Sequence, residues 1–152
     1  HREKYIEEHL RVMLDFRQLD QETGASILGG LFPEQSNTLP NGQPLWASVR
    51  AGFLLAVPAE QRDRQLVLTL QVPDRAPLFP MPLTVRVNGH VLATPVLEAV
   101  QAGHPETLRI PVAREVLAAY PALEVILETP RYFSGIEDHR MKSYQILSAA
   151  LE

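Results

Sequence analysis

Proline is the residue that most restricts what this chain can become. From Gly30 onward, short apolar stretches are cut off repeatedly by proline, and the chain carries 13 of them in 152 residues. A proline has no backbone N–H to give and its ring clashes with the preceding helical turn, so a long helix cannot run through such a region. Short strands that end where proline is tolerated can. Pro58, Pro73, Pro111 and Pro130 each follow an apolar or alternating run, which is where strand ends are expected.

Residues 45–49 and 52–57 read as two of these strands, the second ending at Pro58. Over residues 65–72, Leu66, Leu68, Leu70 and Val72 alternate against Gln65, Val67, Thr69 and Gln71, so one face of that strand is expected to be buried. Residues 83–87 and 91–93 flank Asn88-Gly89, and Asn-Gly between β-prone runs signals a tight hairpin. Residues 107–110 and 123–129 supply two more strands, with a short helix expected at 112–120 between Pro111 and Pro121. In residues 141–151, Tyr144, Ile146, Leu147 and Leu151 match neither period cleanly, and the segment is assigned to strand. The proline-dense stretch 75–82 contains Leu78, Phe79 and Met81, too apolar for a solvated linker, and is expected to fold back on the strands. About eight short strands without alternating βα units indicate a mainly β chain, an antiparallel β-sandwich.

The N-terminal part is written differently. Ile6, Leu10, Met13 and Arg17 fall at helical spacing, widened by Tyr5, His9, Val12, Phe16 and Leu19, which predicts an amphipathic helix over residues 2–19. The expected division is a helix or interdomain connector at 1–24 and a β-sandwich domain at 25–152. The apolar positions Ile6, Leu10 and Met13 are the expected interface if the chain forms homo-oligomers through this helix. Because the chain starts at His1 without a methionine, it is read as a piece of a larger parent protein.

Several chemistries are excluded early. With no cysteine there is no disulfide framework, thiol nucleophile or cysteine-ligated metal. A net charge of -4 with 14 Lys and Arg spread along the chain gives no basic stripe for a nucleic acid backbone. No apolar run approaches the roughly 20 residues that span a bilayer. The expected location is cytoplasmic, with membrane association only through the parent. His1, His9, His90, His104 and His139 form no metal-ligand pair, and no nucleophile elbow or phosphate loop occurs, so neither a metal nor another cofactor is called for. Glu34, Asp63, Asp74, Glu128, Glu137 and Asp138 could in principle supply the two carboxylates of a glycosidase, but they fall mostly in turns or at strand ends.

Two regions hold candidate binding residues. The first runs from Gly30 to Trp46, the chain's one tryptophan, at the start of a strand. An aromatic face with nearby amide and carboxylate groups suits a sugar ring, so Trp46 with Glu34, Gln35 and Asn37 fits glycan binding. Burial of Trp46 as a core residue fits the same pattern. In the second region, residues 130–143, Tyr132 and Phe133 adjoin a charged turn where Asp138 and Arg140 can pair. These residues could present a stacking and hydrogen-bonding rim, or could simply fix the loop.

Three features together carry a resemblance: the Gly30-Leu31-Phe32-Pro33-Glu34 opening followed by Trp46 and the 51–58 strand, the Val87-Asn88-Gly89 hairpin, and the closing Pro130…Asp138-x-Arg140 loop. Over roughly residues 27 to 151 the chain resembles the jelly-roll-type β-sandwich accessory domain of multi-domain bacterial glycosyltransferases that build cell-surface polysaccharides. Lys142-Ser143 stand where that pattern has a leucine-glycine pair. The resemblance implies a fold like that of carbohydrate-binding modules and a non-catalytic role. It identifies no binding residue; on the residues themselves the partner would be a glycan, held by Trp46, Tyr132 and Phe133 with Glu34, Asp138 and Arg140, or a neighbouring catalytic domain that the chain orients as a scaffold. A small glycan-active sandwich enzyme is the third possibility.

Overall fold

The computed structural model describes residues 13–14, 27–32, 45–118, 122–136 and 139–152. Along them run β1 (Met13–Leu14), β2 (Ile27–Phe32), β3 (Leu45–Ala56), β4 (Arg64–Gln71), β5 (Met81–Pro82), β6 (Thr84–Val87), β7 (His90–Ala93), β8 (Val96–Leu97), β9 (Glu106–Val112), a single helical turn α1 (Arg114–Leu117), β10 (Ala122–Glu128) and β11 (Tyr144–Leu151). All strand pairings are antiparallel.

The main sheet has the order β7-β6-β10-β3-β11-β4-β9, with β1 paired to β11 and β2 to β3. The long strand β3 joins its two halves. Residues 45–47 pair with β11, whereas residues 50–56 pair with β10. Val85, Leu123 and Val125 from one half and Leu68, Ile110 and Ile146 from the other belong to one buried cluster. The inner faces of the halves therefore face each other, and the sheet is folded over at β3 into two layers. The end strands β7 and β9 come into contact, so the structure is nearly closed.

Local chemistry explains the main elements. Asn88 (φ 49°) and Gly89 (φ 85°) both take the left-handed conformation of the expected hairpin turn. The Asn88 side chain also fixes the hairpin, donating to Val116 O at 3.2 Å and accepting from Glu124 N at 2.8 Å. In β4 the expected alternation buries Leu66, Leu68 and Leu70. The proline-dense stretch does fold back, with Leu78 and Met81 fully buried and β5 paired to β8.

Four expectations change. The strands expected at 45–49 and 52–57 are one continuous strand, β3. Pro111 does not end a strand but lies inside β9, an edge strand opposite Gln65. Gln65 exchanges its backbone hydrogen bonds with Glu152 instead, so the missing N–H of Pro111 leaves no gap in the ladder. The short helix is confined to Arg114–Leu117 because Val112 belongs to β9, while residues 119–121 lie outside the described residues. The N-terminal amphipathic helix is absent at Met13 and Leu14, which are β-strand. Beyond Ile146 the edge of β11 that pairs with β3 would be open, and β1 fills it by pairing Met13 with Ala150 and Leu14 with Ala149. Met13 is therefore not part of a helical interface there, and Ile6 and Leu10 lie outside the described residues.

Tyr144 is fully buried, and its hydroxyl has no hydrogen-bond partner among the described residues. Burial pushes the phenol well above its ordinary value. A buried hydroxyl without a partner carries its desolvation cost uncompensated. Tyr144→Phe is expected to raise stability by about 1 kcal/mol, measured by urea denaturation.

Candidate functional site

The site is built where β10 leaves the sheet. Thr129 N donates to Val49 O at 2.9 Å and extends the β10–β3 pairing by one step. Pro130 follows and has no N–H to continue the ladder, so the chain departs into the loop of residues 130–143. That loop is strapped down at several points. Arg131 N donates to Thr129 Oγ1 at 3.3 Å, and Arg131 Nε donates to Pro80 O at 3.2 Å. Ser143 Oγ donates to Arg131 O, and Ser143 N donates to Ala47 O at 2.8 Å, returning the chain to the sheet. Between these points Phe133 and Lys142 form a β-bridge with hydrogen bonds of 2.8 and 2.9 Å.

Alternation along β3 decides where Trp46 points. Leu45 and Ala47 belong to the core cluster, so Trp46 faces out of the sandwich. It is nevertheless only 7% exposed. The Phe133 ring meets it edge-on, with centroids 5.5 Å apart at 82°. Lys142 Nζ lies 5.3 Å from the indole, and the Arg75 guanidinium lies 4.1 Å from the centre of the Phe133 ring. An aromatic pair adds about 0.5–1.5 kcal/mol beyond burial, and a cation over a ring about 0.5–2 kcal/mol. Together they are large enough to hold Phe133 in one position. Tyr132, next in the loop, is 47% exposed.

Of the sequence candidates, Trp46 and Phe133 are brought into contact, Tyr132 is exposed beside Phe133 in the chain, and Arg140 is half-buried in the same loop. Glu34 and Asp138 lie outside the described residues. Arg75 and Lys142 were not among the candidates. Lys142 adjoins the charged turn that the sequence singled out, which was an available signal, whereas Arg75 approaches Phe133 only through long-range folding.

A second set of polar groups was also missed. On the outer face of the β6–β10–β3 layer, Glu128 is gripped from both sides: Arg86 Nε donates to one carboxylate oxygen at 2.6 Å and Arg50 Nη1 to the other at 3.0 Å. The register favours this, since Glu128 lies opposite Arg50 on one side and Thr84 on the other, with Arg86 two residue pairs along on the same face. The Arg86 hydrogen bond is the main cause that holds the Glu128 carboxyl below its usual value of 4.5, against a smaller effect of burial. Val49, Arg50, Thr84, Glu128, Thr129 and Pro130 line a shallow depression of about 470 Å³ beside it.

A depressed carboxyl pKa stabilises the folded chain fully above the unfolded value and loses that contribution as pH falls through the folded one. Glu128→Gln is therefore expected to be less stable than wild type at pH 7, with the difference shrinking below the usual carboxylate value of 4.5. Urea denaturation of both proteins at neutral and acid pH measures it. Among the described residues, no group of three or more His, Asp or Glu could hold a metal ion, and no helix is long and apolar enough to cross a membrane.

No protein-family model matches the chain, and no curated protein matches it. Among solved structures, a GH115 4-O-methyl-alpha-glucuronidase with specificity for decorated arabinogalactans superposes with a TM-score of 0.51 at 8% identity, over 85% of this chain and 17% of the enzyme. The fold is a jelly-roll-like β-sandwich. The EclA C-terminal domain, a sugar-binding protein, aligns at 12% identity and TM-score 0.46, over 66% of this chain and 64% of its own. The CBM22-1 xylan-binding domain from Paenibacillus barcinonensis Xyn10C aligns at 16% identity and TM-score 0.46, over 91% of this chain and 93% of its own. The chain thus spans less than two thirds of the sugar-binding domain and a small part of the glucuronidase.

Proposed function

We propose that this chain is a non-catalytic β-sandwich module that binds glycan, and that it serves as an accessory domain beside a catalytic domain, in the finer reading a glycosyltransferase of envelope polysaccharide. The observation that carries it is the exposed Tyr132 ring, next in the chain to Phe133, whose ring packs on Trp46 with Arg75 over Phe133 and Lys142 over Trp46. A pyranose has an apolar C–H face that stacks on an aromatic ring and a rim of hydroxyls that pair with charged groups. An exposed ring in a loop fastened to the sheet, with basic side chains in and beside that loop, supplies both parts at a reduced entropic cost. The occurrence of this fold in a glucuronidase with specificity for decorated arabinogalactans lends support. Sugar chemistry fits less well, because Glu128 is held ionised with both oxygens occupied, the wrong state for a general acid.

The scaffold reading has one observation in its favour: Ile136, 92% exposed, and Met141, 42% exposed, lie in the same loop and could pack on a neighbouring domain. Calorimetric titration of the chain with a panel of bacterial and plant oligosaccharides separates the two. Saturable binding to at least one glycan is expected, and heat-silent titrations across the panel would leave the scaffold reading in its place.

A further inference from the structure

We propose that the ligand is an anionic glycan, and that the depression beside Arg50, Arg86 and Glu128 receives its charged group, a sugar carboxylate or sulfate. The inference rests on the glycan-binding reading above and adds the substrate class.

Charge is the first argument. The whole chain is acidic, at -4, yet among the described residues two guanidinium groups here share the Glu128 carboxylate. Within this trio the formal charge is +1, and the Arg50 and Arg86 side chains are 64% and 42% exposed. Each arginine has five N–H donors, and the contact with Glu128 uses a single N–H of each. Donor capacity remains, in the planar form that grips carboxylate or sulfate oxygens. Glu128 fixes the two arginines in place ahead of binding, so less side-chain entropy is lost when an anion arrives.

Continuity is the second. Pro130 lines the depression, Arg131 and Tyr132 follow it directly, and the Arg131 guanidinium is fixed by Pro80 O. Arg75 sits on the adjoining Phe133. The basic groups thus extend from the depression to the aromatic pair along one short piece of chain. A glycan with one sugar on Tyr132 would carry its next units past guanidinium groups. Thr84 and Thr129 line the depression beside them. A neutral sugar uses few of these charges; an acidic one uses the surplus.

The test is a glycan array carrying matched neutral, uronate-containing and sulfated oligosaccharides, probed at low and high salt with wild type and with the double variant Arg50→Gln/Arg86→Gln. Circular dichroism establishes that the variant is folded, and the salt series on wild type gives an answer that does not depend on it. The expected result is binding concentrated on acidic glycans, weakened by salt and about tenfold or more by the double substitution, as loss of charged contacts to an anion requires. The uronate and sulfate arms show which group is held. Equal binding of neutral glycans, or affinity indifferent to salt and to the double substitution, would overturn the anionic class while leaving glycan binding intact. Silence across the entire array would instead remove the underlying glycan-binding reading, and this inference with it.

Discussion

Gly30→Ala lowers the stability of this chain by about 3 kcal/mol or more, the sum of two separate penalties. Gly30 sits at φ +73°, and a Cβ there would fall 1.9 Å from Arg50 O and 2.9 Å from Ala51 Cα, both backbone atoms that cannot swing aside. The pairing of β2 with β3 is irregular before and across this point, with register shifts between Ile27 and Gly29 and between Gly29 and Leu31. The close approach is therefore part of how β2 lies on β3. Gly103 provides the control: it too has positive φ, +76°, but nothing lies within 4 Å of its Cβ position. Gly103→Ala should cost only the left-handed strain, about 1–2 kcal/mol. Urea denaturation of the two variants measures the difference, and equal midpoints would show that β2 does not approach β3 as described.

Tyr132→Ala weakens glycan binding by about 10- to 100-fold while leaving the thermal midpoint nearly unchanged, since a stacking ring is worth one to two factors of ten. The split follows from position. Tyr132 is 47% exposed and its removal opens no cavity in the core. Trp46→Ala should instead lower both binding and stability, because Trp46 is 7% exposed and supports Phe133 from below. Calorimetry and thermal denaturation of the two variants side by side distinguish a contact with ligand from a support beneath it. A Tyr132→Ala protein that bound glycan as wild type does would move the site elsewhere.

The parts legible in the sequence were those specified by neighbours in the chain. Asn88-Gly89 fixed its turn through two consecutive residues, and Leu66, Leu68 and Leu70 through strict alternation. The mixed pattern of residues 144–151 has a local cause as well. A register shift between Ile146 and Ser148 changes which side chains face inward, so Tyr144 and Ile146 are buried before it and Ala149 and Leu151 after it. Neither period could fit both halves. At Met13 and Leu14 a long-range pairing to β11 sets the backbone, and a helical spacing of apolar residues carries no trace of that partner.

The site was half legible for the same reason. Aromatic residues flanked by charge pointed to Trp46, Tyr132 and Phe133, but contact between Trp46 and Phe133 depends on two segments meeting across the fold. The Arg50–Glu128–Arg86 grouping was not visible at all, because its members are 78 and 42 residues apart and are joined only by strand register. Glu128 read as one more solvated acid at a strand end. In the structure both of its carboxylate oxygens are held, one by Arg50 and the other by Arg86.

Trp46 makes the central claim directly measurable, since it is the chain's one tryptophan and lies against Phe133 and Lys142 at the proposed site. Its fluorescence should change saturably as an acidic oligosaccharide is added, with the same midpoint as the heat of binding, and in Tyr132→Ala that midpoint should move to about 10- to 100-fold higher concentration. A glycan that binds by calorimetry without altering Trp46 emission, or that alters it equally in Tyr132→Ala, would contradict a site built on these residues.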